Sequence, residues 1–223
     1  MEKIDSFIFD LDGTLLDTVS DIKEAVNYSL MKHHLKERTL DEIISFIGHG
    51  SKHLIQEAIA GNDSLFDSVF ETYYKYYENH FNVFTKPYDG IIESLEHAKS
   101  CGIRLYIYTN KPYEMTESLV KYHFKKDLFS KVVSIKKTDR TFKPDPSLFL
   151  KEVEKENISF EDSFYFGDSE VDIMTAKNLN IENMVSVTYG YKTREFLENF
   201  SIKPKYLIDD AREIKDIVDR VYN

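Results

Sequence analysis

Two aspartates, Asp10 and Asp12, close the apolar run Phe7-Ile8-Phe9. Side chains two apart on a strand point to one side, so both carboxylates can address a single point. Gly13 behind them permits a sharp turn, and Thr14 adds a hydroxyl. Buried carboxylates are costly unless they are paired, liganded or used in catalysis. The chemistry that suits this pair is covalent phosphoryl transfer. One carboxylate attacks phosphorus while the other handles the proton of the leaving group.

Open α/β sheets bind ligands beyond the carboxyl ends of their strands, so the residues that follow each expected strand matter most. After Ile103–Tyr108 come Thr109, Asn110 and Lys111, then Pro112. Pro112 suits a first helical turn, which places Thr109 and the amides behind it at a helix N-terminus, a phosphate site. After Ser163–Phe166 come Gly167, Asp168, Ser169 and then Asp172. With Ser169 as a helix cap, Asp168 and Asp172 lie near the first turn and can face the same point. Lys143 stands in Lys143-Pro144-Asp145-Pro146. Singly, these features are ordinary: Asp12-Gly13 is a common turn pair, Thr109 a common cap, Lys143 a surface charge. Together, four acids and a lysine fall where one crevice is expected. Carboxylates gathered in this way need cations, which Mg²⁺ and the lysine would supply.

Hydrophobic periodicity identifies the elements that carry these residues. Residues 4–10 read as a buried strand. Helical spacing follows over 18–33, 39–47, 50–60 and 63–80, with Gly48-His49-Gly50 splitting the middle pair. No strand is expected between the first one and residue 87, so this block reads as an inserted helical subdomain rather than a simple crossover. Pro87-Tyr88-Asp89-Gly90 closes it as a turn. Helices are then expected over 90–101, 112–125, 146–156, 169–179, 191–199 and 210–221. They alternate with strands over 103–108, 131–134, 163–166, 183–188 and 205–208. Such alternation implies a mostly parallel, Rossmann-like α/β sheet covered on both faces. The expected division is a sheet-bearing core of residues 1–15 and 88–223, with an inserted helical subdomain over 16–87.

Composition narrows the function classes. The 223 residues carry a net charge of -10, which disfavours nonspecific contact with nucleic acid or anionic membranes. A single cysteine, Cys101, excludes an internal disulfide and a cysteine-rich zinc cluster. The N-terminus does not read as a signal peptide, and no apolar run approaches the ~20 residues of a membrane span. A cytoplasmic location is expected. Tyr73-Tyr74-Lys75-Tyr76-Tyr77 has helical spacing and acidic flanks, so it reads as packing rather than as a stacking platform for bases.

The chain resembles the haloacid dehalogenase superfamily of phosphatases over essentially its whole length. The resemblance rests on four motifs in order: Asp10-Leu11-Asp12-Gly13-Thr14-Leu15, Thr109-Asn110, Lys143, and Gly167-Asp168-Ser169-Glu170-Val171-Asp172. It implies that Asp10 is the nucleophile and forms an aspartyl-phosphate. Asp12 then protonates the leaving oxygen and activates water. Mg²⁺ is implied to be held by the Asp10 carboxylate, the Asp12 carbonyl and Asp168, with Asp172 supporting the metal's waters or the lysine. Thr109 and the Asn110 amide are implied to bind phosphate, and Lys143 to offset charge on nucleophile and phosphate. Asp12 separates the chain from the dehalogenase and phosphonate-cleaving branches, which replace that acid. Ile47-Gly48-His49-Gly50 resembles the cap loop of phosphoglycolate phosphatases, which makes His49 and Lys52 candidate substrate contacts. A Mg²⁺-dependent phosphomonoester hydrolase acting on 2-phosphoglycolate is therefore expected, as a monomer or homodimer whose partner is a small phosphorylated metabolite. The alternatives are a broader phosphatase of nucleotides, sugar phosphates or pyrophosphate, a β-phosphoglucomutase-like isomerase, and a binding protein that has kept the fold.

Overall fold

The structure, a computed structural model, describes residues 4–222; residues 1–3, the start of the expected core segment, and Asn223 lie outside the described residues. The chain divides into two compact units. One is formed by the residues through Leu16 together with the chain from Pro87 on; the other is Asp17–Lys86.

The first unit is built on a six-stranded parallel sheet. Its strands are β1 (Ser6–Phe9), β4 (Arg104–Pro112), β5 (Lys131–Ile135), β6 (Ser163–Gly167), β7 (Asn183–Val187) and β8 (Tyr206–Ile208), in the order β5-β4-β1-β6-β7-β8. β1 lies between β4 and β6, with Phe9 level with Ile107 on one side and Phe166 on the other. Every residue of β1 and β6 is buried, as expected of central strands covered on both faces. Alternation then sorts the side chains. Phe7, Phe9, Phe164 and Phe166 pack on one face, where Phe9 stacks on Phe166 with ring centroids 4.6 Å apart. Ile8, Tyr106, Tyr108 and Tyr165 belong to a second cluster with Phe149. After β1 the chain moves outward through β4 and β5, then returns beside β1 at β6 and proceeds the other way. That reversal puts the topological switch at β1, and the carboxyl ends of β1, β4 and β6 become one crevice.

The second unit is helical: α1 (Val19–Lys32), α2 (Leu40–Phe46), α3 (Ser51–Ala58) and α4 (Phe66–His80), with α1 packed along α4. Its interior holds Ile22, Val26, Leu30, Leu54, Ile55, Val69, Tyr73 and Tyr77. Within the tyrosine run, Tyr73 and Tyr77 are buried and stacked at 5.4 Å, and Tyr76 stacks on Tyr28 at 4.0 Å. These rings take part in the packing of the helical unit. Thr39 starts α2 with a capping box: its backbone N–H donates to Glu42, and its hydroxyl accepts from the Glu42 N–H.

Two expectations need correction. The stretch after β1 does contain strand: β2 (Leu16–Asp17) and β3 (Lys86–Pro87) pair as a two-stranded ribbon. Two-residue strands are too short to leave a period in the sequence. The helix expected from residue 112 begins later, as α6 (Tyr113–His123). β4 resumes pairing with β5 at Pro112 after an irregularity beyond Tyr108, and this ladder holds residues 109–112 extended.

Candidate active site

Asp10 continues β1 past its last paired residue, and its backbone N–H still donates to the Phe166 carbonyl at 2.9 Å. The carboxylate is therefore carried by the most buried strand of the sheet. Asp168 and Asp172 come from the end of β6 and the first turn of α8 (Glu170–Asn178). Ser169 caps α8. Its backbone N–H and hydroxyl both donate to Asp172 Oδ2, at 3.2 and 2.5 Å. Asp10, Asp168 and Asp172 are all buried, and each offers an oxygen within 4.8 Å of the others.

Lys143 stands among these acids, 1% exposed. Its ammonium lies 2.8 Å from Asp10 Oδ1 and 2.7 Å from Asp172 Oδ1. Asn110 holds the lysine's main chain from both sides: its side-chain amide donates to the Lys143 carbonyl at 3.0 Å, and its carbonyl oxygen accepts from the Lys143 N–H at 2.8 Å. The Asn110 side chain thus ties down the loop carrying Lys143. Asp172 is also fully engaged, because Tyr165 adds a hydroxyl at 3.3 Å to Oδ1. It contacts the lysine directly, at 2.7 Å, and also belongs to the three-carboxylate group.

Three buried carboxylates face one ammonium, and the imbalance shows in their proton affinities. Burial pushes Asp10 up to about 7, with the charges of Asp172 and Asp12 adding to the rise and Lys143 opposing it. Burial also drives Asp168 well above the carboxylate range, helped by Asp172 and Asp10. Burial alone would lower Lys143, but Asp10 and Asp172 outweigh it and hold the ammonium charged well above its ordinary value. A divalent cation is what this excess of hard oxygen donors fits. The packing is equally specific. A Cβ on Gly13 would come within 2.4 Å of Asp168 Oδ2, and one on Gly190 within 2.3 Å of the Gly13 carbonyl.

Thr109 is buried at the irregular part of β4, and its hydroxyl accepts from the Lys111 N–H at 3.2 Å. It does not lie at a helix N-terminus, since α6 starts four residues later. His49 and Lys52 belong to the helical unit. The His49 ring is 4.8 Å from that of His53, and Lys52 is exposed in the first turn of α3.

Three contributors were not singled out from the sequence. Lys111 places its ammonium 3.0 and 3.3 Å from the two oxygens of Asp12. The Tyr191 N–H donates to Asp168 Oδ2 at 2.7 Å. Tyr165, inside β6, reaches Asp172. Lys111 shares strand parity with Thr109, a legible signal. Inspecting the residues after β7 as after the other strands would have reached Gly190 and Tyr191.

A family model described as haloacid dehalogenase-like hydrolase matches residues 7–186. The chain belongs to that family. It is an enzyme, and similar curated proteins are phosphatases. The phosphoglycolate phosphatase of Psychrobacter arcticus is 28% identical over 96% of this chain and 96% of its own length. That of Agrobacterium fabrum is 31% identical over 91% of this chain and 87% of its own length. Among solved structures, a predicted phosphoglycolate phosphatase from Haemophilus somnus superposes with a TM-score of 0.85 at 26% identity, covering 96% of this chain and 98% of that one. Among the described residues no helix is long and apolar enough to cross a membrane.

Proposed function

We propose that this phosphatase hydrolyses 2-phosphoglycolate through an aspartyl-phosphate on Asp10, with Mg²⁺ held by Asp10, the Asp12 carbonyl and Asp168. The observation that carries the mechanism is the buried Asp10 beside Lys143, with Asp12 two residues further on. An Asp10 oxygen attacks phosphorus as the ester P–O bond breaks, and Asp12 gives its proton to the departing oxygen. Water then attacks the same phosphorus, the P–O bond to Asp10 breaks, and the water's proton passes to Asp12. Ester and water become alcohol and phosphate, and both residues return to their starting states. Lys143 stays charged throughout and balances the nucleophile and the phosphoryl oxygens. Thr109 and the Asn110 N–H offer donors to those oxygens. Mg²⁺, when bound, supplies further positive charge against the crowded carboxylates and the transferring group. The substrate assignment is supported by the curated relatives, which match along nearly the whole chain.

The test is phosphate release with Mg²⁺ across 2-phosphoglycolate, nucleoside monophosphates, pyrophosphate, sugar phosphates and p-nitrophenyl phosphate. A preference in kcat/KM of at least ~100-fold for 2-phosphoglycolate is expected, equivalent to about 2.7 kcal/mol of transition-state discrimination. A flat profile would overturn the substrate assignment and leave the chemistry standing.

A further inference from the structure

Two lysines in the site pair with aspartates, and only Lys143 has a part in the mechanism above. Lys143 serves Asp10. Lys111 meets Asp12 as Lys143 meets Asp10, yet it comes from a strand, β4, where Lys143 comes from a loop. The Lys111 side chain is 1% exposed and that of Asp12 16% exposed. Its ammonium meets both oxygens of the carboxylate rather than one.

The two ends of this pair differ in how firmly they are held. Lys111 lies in the nine-residue β4, in the irregular stretch between its pairings at Tyr108 and Pro112, and its own N–H is tied to Thr109. Asp12 stands beyond the end of β1, in the turn formed by Gly13, and bridges to Leu16. Its side chain has two rotatable bonds and an edge open to solvent. A proton donor on such a turn works only if it is kept within hydrogen-bond reach of the leaving oxygen.

We propose that Lys111 is a positioning residue for Asp12: its ammonium keeps the carboxylate turned toward the reacting phosphoryl group. The proposal rests on the phosphatase reading above. It differs from a direct contact between Lys111 and a second anionic group on the substrate. The enclosed stem and the two short distances to Asp12 favour positioning, because both the reach and the charge of the ammonium are already directed at that residue.

The two roles separate in a double-mutant cycle of Lys111→Met and Asp12→Asn. Its readout is kcat and KM on simple alkyl and aryl phosphate monoesters of graded leaving-group pKa, and on 2-phosphoglycolate. Methionine retains the apolar stem, so the buried strand keeps its packing, and thermal midpoints check the fold. Lys111→Met is expected to lower kcat/KM about 10²-fold for alkyl esters, the scale of a misplaced catalytic group, with a much smaller loss for p-nitrophenyl phosphate. The dependence on leaving-group pKa steepens as it does in Asp12→Asn, and Lys111→Met adds little to a protein that already carries Asp12→Asn. A loss confined to KM for the carboxylate-bearing substrate overturns the proposal in favour of a substrate contact. An equal loss for every ester, with independent effects in the double variant, overturns it in favour of a structural role. Lys111→Gln, which keeps a shorter donor, carries the same test if the methionine variant does not fold. A wild-type protein inert toward every ester would instead overturn the phosphatase reading, and this proposal with it.

Discussion

Asp21 in the helical unit and Asp10 in the sheet unit are both buried aspartates, and their charges are met in opposite ways. Asp21 accepts the backbone N–H groups of Val83, Phe84 and Thr85 and the Thr85 hydroxyl, at 2.6 to 3.1 Å. Neutral donors saturate its lone pairs and tie the start of α1 to the chain that leaves the unit. Asp10 instead faces an ammonium and two other carboxylates. A carboxylate saturated by fixed dipoles has nothing left to attack or ligate with, whereas one balanced by a cation keeps oxygens that can be redirected. Within the acidic cluster Asp172 stands between the two cases: Ser169 and Tyr165 give it neutral donors, and Lys143 gives it an ammonium.

The largest expected effect breaks the comparison at Asp10. Asp10→Asn keeps the volume and removes the nucleophile, and turnover is expected to fall below about one part in 10⁴ of wild type. Normal hydrolysis by the purified variant would return Asp10 to a structural role like that of Asp21.

The converse substitution, Asp21→Ala, orphans several buried donors at once. It is expected to destabilise the helical unit by about 3 kcal/mol, with the amides of Val83, Phe84 and Thr85 losing protection in hydrogen exchange. Unchanged protection there would mean that the clasp contributes nothing.

The smallest effect concerns pH. In the metal-free protein Asp10 titrates near 7 when folded, against an ordinary carboxylate value when unfolded. The folded state therefore holds an extra proton between about pH 4 and 7, and its stabilising contribution disappears as pH rises through 7. Thermal midpoints in EDTA should decline from pH 5 to 8, Mg²⁺ should restore more stability at the alkaline end, and Asp10→Asn should flatten the decline. A midpoint independent of pH in EDTA would contradict the crowding described for Asp10.

The alternating pattern of strands and helices was readable because buried parallel strands are nearly continuous apolar runs, as in Phe7-Ile8-Phe9 and Phe164-Tyr165-Phe166. The acids at their ends were readable because charge directly after such a run is unusual. Positions defined by a neighbouring strand were harder to read. Extended residues 109–112 read as the approach to a helix because Pro112 fits a first helical turn as well as an edge of pairing, and only β5 decides between them. Tyr191 contributes through its backbone, and a main-chain N–H has no residue type to read. Nothing in the local sequence marks Lys111 as buried, since burial of a charge is a property of the assembled crevice.

The Tyr88 N–H donates to the Leu15 carbonyl at 3.2 Å, inside the sheet unit and on either side of the point where the helical segment is spliced in. The two cut ends are already stitched together, so the segment between them is a detour that begins and ends at one place. For the sheet unit, loop closure scarcely depends on the length of that detour, because such entropy grows only with the logarithm of length. Different inserts could be exchanged at this junction over evolutionary time while β1, β4 and β6 keep their register and the acids at their ends stay in place. The arrangement leaves the helical segment free to change without disturbing the reaction centre.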